Sequence, residues 1–282
     1  MDQRALWLSS AFAAARLAMA LWGAQLALRM LDRRRATLGW QVALAALAMV
    51  TSWWALPMTG VQSWWRAAWL INGLLSAAAL IDCVRRWMTS SYGELERWRV
   101  HSLFAWTGLA VSSVATIAAQ TTLLPPDWLP RTAAALNSLS CAVLLGIAIA
   151  VSLELTLGAL GTGLLCLRWR NVARWASLAW AVQLSVDAFI ILNGRATDTP
   201  LETATPFLFA FGMMIVGYIA WCIPRQMVQL AARGAVQGQA SLAISGWLAV
   251  ICLSLASALP PAWPWSQLGK SSAGASALAI VE

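Results

Sequence analysis

Long apolar runs separated by short polar connections dominate the chain. Eight such runs can be drawn, and we predict that each is a transmembrane helix, because about 20 apolar residues suffice to cross a bilayer. Their approximate bounds are 5–27, 38–58, 64–84, 101–124, a run within 133–167, 175–193, 207–223 and 241–259. The pattern predicts an all-α fold, a polytopic transmembrane helical bundle without a soluble domain. We expect the bundle over residues 1–262 and a flexible C-terminal tail over 263–282.

The fifth run combines unusual length with a row of small residues around one acidic residue. Glu154 lies near its middle, and Gly146, Ala150 and Gly158 recur around it at helical spacing. Such a row indicates a face where another helix can approach closely. Because the run is longer than one span, we expect either an interfacial turn at 133–140 or a cytoplasmic extension.

Three ionisable residues fall at membrane depth, and they form our candidate polar site. These are Arg16, Glu154 and Asp187, with Gln183 one helical turn from Asp187. Charges in lipid are costly and are by default candidates for function. Our hypothesis is that Arg16 pairs with Glu154 or Asp187, through close approach of the small faces of the first and fifth helices. Such a pair has two interpretations. It is a functional site for an ion, a proton or an anion, or it is a structural pair that sets helix register. We favour the structural interpretation, although desolvation offsets the attraction within such a pair.

Composition agrees with a membrane protein. Hydrophobic residues make up 60% of the chain and charged residues 11%, whereas soluble domains carry about 25% charged residues. The net charge of +8 is spread over short connections, which is typical of the positive-inside rule and argues against nucleic-acid binding. The bias between alternate connections puts both termini outside the cytoplasm. We expect a bacterial inner (plasma) membrane as the location and the lipid bilayer as a partner.

Several chemistries are disfavoured because the residues that they need are missing. His101 is the one histidine, Lys270 is the one lysine, and the five cysteines form no CxxC pair. A His-based metal or haem site and a retinal Schiff base within the bundle are thereby excluded. No phosphate-binding loop with lysine occurs either. We therefore predict no catalytic, cofactor-binding or metal-binding residues.

Two functional classes are the main candidates, and the first is favoured. It is a membrane component without catalytic machinery, a sensory or assembly subunit that contacts a partner membrane protein or a second copy through its helices. The alternative is a transporter or channel for a small solute or ion, using Arg16, Glu154 and Asp187 as a polar path. The prolines all lie at span ends or in loops, so proline does not break helices here as in many transporters. An enzyme acting on lipid or a membrane-bound substrate is the third and least favoured class.

Overall fold

A computed structural model shows an all-helical chain over the residues that it describes. These residues are 3–31, 36–55, 63–89, 98–122, 128–159, 177–185, 188, 212, 215–219, 222 and 239–257. The helices with complete bounds are α1 (Gln3–Leu31), α2 (Ala36–Ala55), α3 (Ser63–Thr89), α4 (Trp98–Thr122), α5 (Trp128–Ala159) and α8 (Gln239–Ser257). Two further helical segments are described in part, and we call them α6 (177–185) and α7 (215–219). The prediction of an all-α fold is confirmed for this part of the chain. The predicted tail at 263–282 lies outside it.

Three helices are long and apolar enough to cross a membrane. The qualifying segments are Ser10–Leu28 in α1, Trp64–Arg86 in α3 and Ala134–Thr156 in α5. Shorter apolar segments occupy α2, α4 and α8, at Trp40–Ala55, Leu103–Ala119 and Ala243–Leu255. These lengths and compositions are consistent with a membrane protein. The predicted sixth and seventh spans extend beyond the described residues.

Several helices continue past the ends of their apolar runs. α5 is one continuous helix from Trp128 to Ala159, so the first of the two alternatives for its surplus length, an interfacial turn at 133–140, is wrong. Pro130 lies in its first turn, where the missing backbone N–H costs no intrahelical hydrogen bond. α3 also continues to Thr89, beyond its predicted end. Hydropathy identifies the part of a helix that suits a bilayer, whereas the backbone hydrogen bonds can continue into polar sequence.

α1 is the central helix of the described bundle. It contacts α2, α4, α5 and, more narrowly, α8. Of its segment Ser10–Leu28, 78% is buried within the protein, compared with 33% of Trp64–Arg86 in α3. Further contacts join α2 to α3, α3 to α4, α4 to α5 and α5 to α8.

One end of the bundle is defined by an aromatic cluster around Trp65. The Phe12 and Trp65 rings lie 5.6 Å apart, and the Trp65 indole N–H donates to the Ala55 carbonyl oxygen at 3.0 Å. Ala119 belongs to the same cluster. The starts of α1 and α3 therefore lie beside the ends of α2 and α4, at what we call the Trp65 end. The opposite end, where α1 finishes, is the Leu31 end.

The direction of α5 follows from its short connection to α4. Five residues separate Thr122 from Trp128, and such a segment spans at most about 20 Å. α5 therefore begins at the Trp65 end, beside the last turn of α4. It runs parallel to α1, and this direction decides which polar residues can meet.

Candidate functional site

α1 and α5 cross where their backbones touch. A Cβ atom added to Gly146 would lie 2.8 Å from the Ala20 carbonyl oxygen and 3.2 Å from the Ala24 amide nitrogen. A Cβ atom on Gly23 would lie 4.0 Å from the Gly146 Cα atom. Such contact requires small residues on both helices. The close approach predicted for the first and fifth helices is confirmed, and we call this contact the α1–α5 crossing.

Arg16 and Glu154 are both buried but lie on opposite sides of the α1–α5 crossing. Their exposed fractions are 4% and 3%. Arg16 precedes the crossing by about six residues, or about 9 Å, and Glu154 follows Gly146 by eight residues, or about 12 Å. Because the helices are parallel, the backbone positions of the two residues are about 20 Å apart along the bundle. Arg16 and Glu154 therefore lie at different depths, and a direct pair between them stays a prediction.

Gln183 joins α6 to α5 on the Arg16 side of the crossing. The Ser140 hydroxyl forms a hydrogen bond with the Gln183 side-chain oxygen, and Gln183 is buried. Ser140 precedes Gly146 by six residues, which is about 9 Å and matches the depth of Arg16. Asp187 lies outside the described residues, so its pairing with Arg16 stays a prediction. Among the described candidates, Arg16 and Gln183 share one depth and Glu154 lies at another.

Glu154 lies in the part of α5 that packs against α8. The Trp247 indole N–H donates to the Thr156 hydroxyl oxygen at 3.1 Å. A Cβ atom on Gly246 would lie 2.7 Å from the Ser152 hydroxyl oxygen. Glu154 lies between these two contacts in sequence, but two residues along a helix turn by about 200°, so it lies on the opposite side of α5 from Ser152 and Thr156.

A second polar group, centred on Asn72, links four helices. The Trp22 indole N–H donates to the Asn72 side-chain oxygen at 2.8 Å, and the Ser52 hydroxyl lies 3.4 Å from the same oxygen. The Asn72 amide donates to the Gly108 carbonyl oxygen at 3.5 Å. We call Trp22, Ser52, Asn72 and Gly108 the Asn72 node. Sequence reasoning missed it, although an asparagine inside an apolar run was a signal.

Gly108 makes room for the indole in the Asn72 node. A Cβ atom at Gly108 would lie 2.3 Å from the Trp22 Cε2 atom and 2.7 Å from its Nε1 atom. The ring therefore lies against the α4 backbone, with its N–H directed at Asn72. The glycine and the hydrogen bond together determine the position of this large side chain between α1, α3 and α4.

Nearby hydroxyl groups bond within their own helices. The Ser112 hydroxyl donates to the Gly108 carbonyl oxygen at 2.7 Å, and the Ser76 hydroxyl donates to the Asn72 carbonyl oxygen at 2.9 Å. Such bonds to the preceding turn satisfy a hydroxyl group inside an apolar bundle. The Ser112 and Ser76 hydroxyl groups are thus satisfied within their own helices.

The described residues assemble no group of three His, Cys, Asp or Glu side chains that could hold a metal ion. Comparison with protein families, curated proteins and solved structures finds no match for this chain.

Proposed function

We propose that the chain is a multi-pass membrane protein that acts as a sensory or assembly subunit through contacts between helices. The α1–α5 crossing is the observation that carries this proposal. Gly146 approaches Ala20 so closely that a methyl group does not fit. A solute moving from Arg16 to Glu154 along this interface would have to pass two touching backbones. A role in helix packing and helix register therefore suits Arg16 and Glu154 better than a role in a transport path.

The Asn72 node supports the same conclusion. Small-residue contacts and hydrogen bonds between helices drive association in lipid, where apolar surface alone gives little preference for protein over lipid. The node uses an indole, an amide and a hydroxyl group for this purpose. A protein whose interior is organised in this way is suited to holding a defined shape for a partner.

Native mass spectrometry of the tagged full chain tests the proposal. The protein is extracted from its own membrane in a mild detergent. We expect a companion membrane protein at fixed stoichiometry. A bare monomer would contradict the assembly-subunit proposal and lead to flux assays.

Photo-crosslinking from two matched exposed positions locates the surface that contacts the companion protein. Ile81 on α3 and Ile244 on α8 are exposed by similar fractions, 68% and 71%. A photoreactive amino acid is placed at each position in turn, and crosslinking is done in the native membrane. A subunit that docks through one face gives a protein crosslink from one position and lipid adducts from the other. Lipid adducts from both would exclude docking at either face.

A transporter or channel is the second candidate, because Arg16 and Glu154 are buried charges and such charges commonly mark ion pathways. The test is proton and small-anion flux into liposomes carrying the purified protein. Glu154→Gln is compared with Ser152→Ala, whose hydroxyl donates to the Ala148 carbonyl oxygen of its own helix at 2.7 Å. Flux that is lost only in Glu154→Gln, with unchanged unfolding temperatures, would favour transport.

A further inference from the structure

Among the described residues, two buried glutamines have side-chain amide atoms without a hydrogen-bond partner. Gln25 and Gln41 have exposed fractions of 0% and 1%. Within the described part of the chain, neither the oxygen nor the nitrogen of the Gln25 amide has a hydrogen-bond partner, and the Gln41 amide nitrogen has none. Buried polar side-chain atoms are bonded in the large majority of cases, to protein or to ordered water. Neither glutamine is therefore explained by apolar packing.

The helical hairpin brings the two amides to the same depth. α1 ends at Leu31 and α2 begins at Ala36, and the two helices pack against each other. Gln25 lies six residues before the end of α1, and Gln41 lies five residues after the start of α2. Each is about 8–9 Å from the Leu31 end of the bundle. The two side chains therefore occupy one level of one helix pair.

We propose that Gln25 and Gln41 form an internal binding site for water between α1 and α2. A neutral amide offers both a donor and an acceptor, which matches a small uncharged molecule with the same capacity. An ion would need compensating charge, which neutral amides do not supply. Buried water typically makes about three hydrogen bonds to polar groups that would otherwise be unsatisfied. The site is independent of the proposed subunit function.

Solid-state NMR of the full chain in lipid bilayers observes the site directly. Magnetisation is transferred from water to the 15N-labelled side-chain amides, whose signals are assigned by their loss in Gln25→Met and Gln41→Met. The Asn72 amide is the internal reference, because it is buried and donates to a carbonyl oxygen of the protein. We expect faster build-up at both glutamines than at Asn72. Build-up at either glutamine no faster than at Asn72 would overturn the proposal.

Thermal unfolding in detergent gives an independent test. Methionine matches glutamine in length but cannot bond to water, so each Gln→Met change leaves the water with fewer partners. We expect each single variant to lower the unfolding temperature by about 2–6 °C, and the double variant to lower it by less than the sum. Leu44→Met, at a buried position of α2, is the volume-matched control and should change little. An increase in either single variant would refute the proposal, because methionine would then be relieving unsatisfied amides.

Discussion

The α1–α5 crossing contains two glycines in unequal surroundings, and alanine at each should give opposite results. A methyl group at Gly146 would lie 2.8 Å from a backbone oxygen of α1, whereas one at Gly23 would lie 4.0 Å from its nearest neighbour. The first distance is 0.6 Å shorter than the 3.4 Å at which ordinary contact begins (3.4 − 2.8). The helices must separate to accept Gly146→Ala, whereas Gly23→Ala fits without movement.

The expected magnitudes follow from two opposing terms. Overpacking of a well-packed interior costs about 1–3 kcal/mol, and alanine gains about 1 kcal/mol over glycine in a helix interior. Gly146→Ala should therefore be destabilised by up to about 2 kcal/mol. Gly23→Ala retains only the helical gain and should be stabilised by up to about 1 kcal/mol. Because the helical term occurs in both variants, their difference of about 1–3 kcal/mol measures the packing term alone.

The assay is unfolding of both variants and the wild-type chain in the same detergent, followed by circular dichroism at the helical band. The difference in unfolding free energy between Gly146→Ala and Gly23→Ala is the quantity of interest. Equal stabilities would refute the backbone contact at the crossing. Since the obstructing atoms belong to the α1 backbone, truncating side chains of α1 should not rescue Gly146→Ala.

The remaining predictions concern the Asn72 node and Glu154. Gly108→Ala should destabilise the protein by about 1–3 kcal/mol, and Trp22→Leu should recover part of this loss in a double-mutant cycle; strict additivity would contradict the contact. Asn72→Leu should lower the free energy of unfolding by about 1–3 kcal/mol, because it leaves the Trp22 N–H buried without its acceptor. Ser52→Ala should lower it by less than about 1 kcal/mol, since the contact of the Ser52 hydroxyl with Asn72 is long. Equal losses in the two variants would argue against this ranking. If the chain is a subunit, Glu154→Gln should retain its companion in native mass spectrometry, and loss of the companion with folding intact would assign this carboxylate to the interface.

Hydropathy was sufficient for the existence and type of the described helices. Apolar segments of this length can satisfy their backbone hydrogen bonds in lipid only within a helix or a closed barrel. The small residues around Gly146 likewise predicted a close contact between the first and fifth helices. Local composition contains this information, because a residue without a large side chain permits close approach wherever its helix is placed. The helix ends were less well predicted, since helical hydrogen bonding extends beyond the apolar segment.

Only the tertiary structure decided which polar residues meet. Arg16 was paired by charge with Glu154 or Asp187, whereas the parallel direction of α1 and α5 gives Arg16 and Glu154 different depths in the bundle. The Asn72 node and the buried amides of Gln25 and Gln41 escaped notice, because one neutral polar residue barely changes the hydropathy of a span. Such a residue becomes informative through the rotation and register of neighbouring helices, which determine whether its hydrogen-bonding groups find partners. The rotation and register of two helices relate residues that are distant in sequence, and they are determined only when the helices pack.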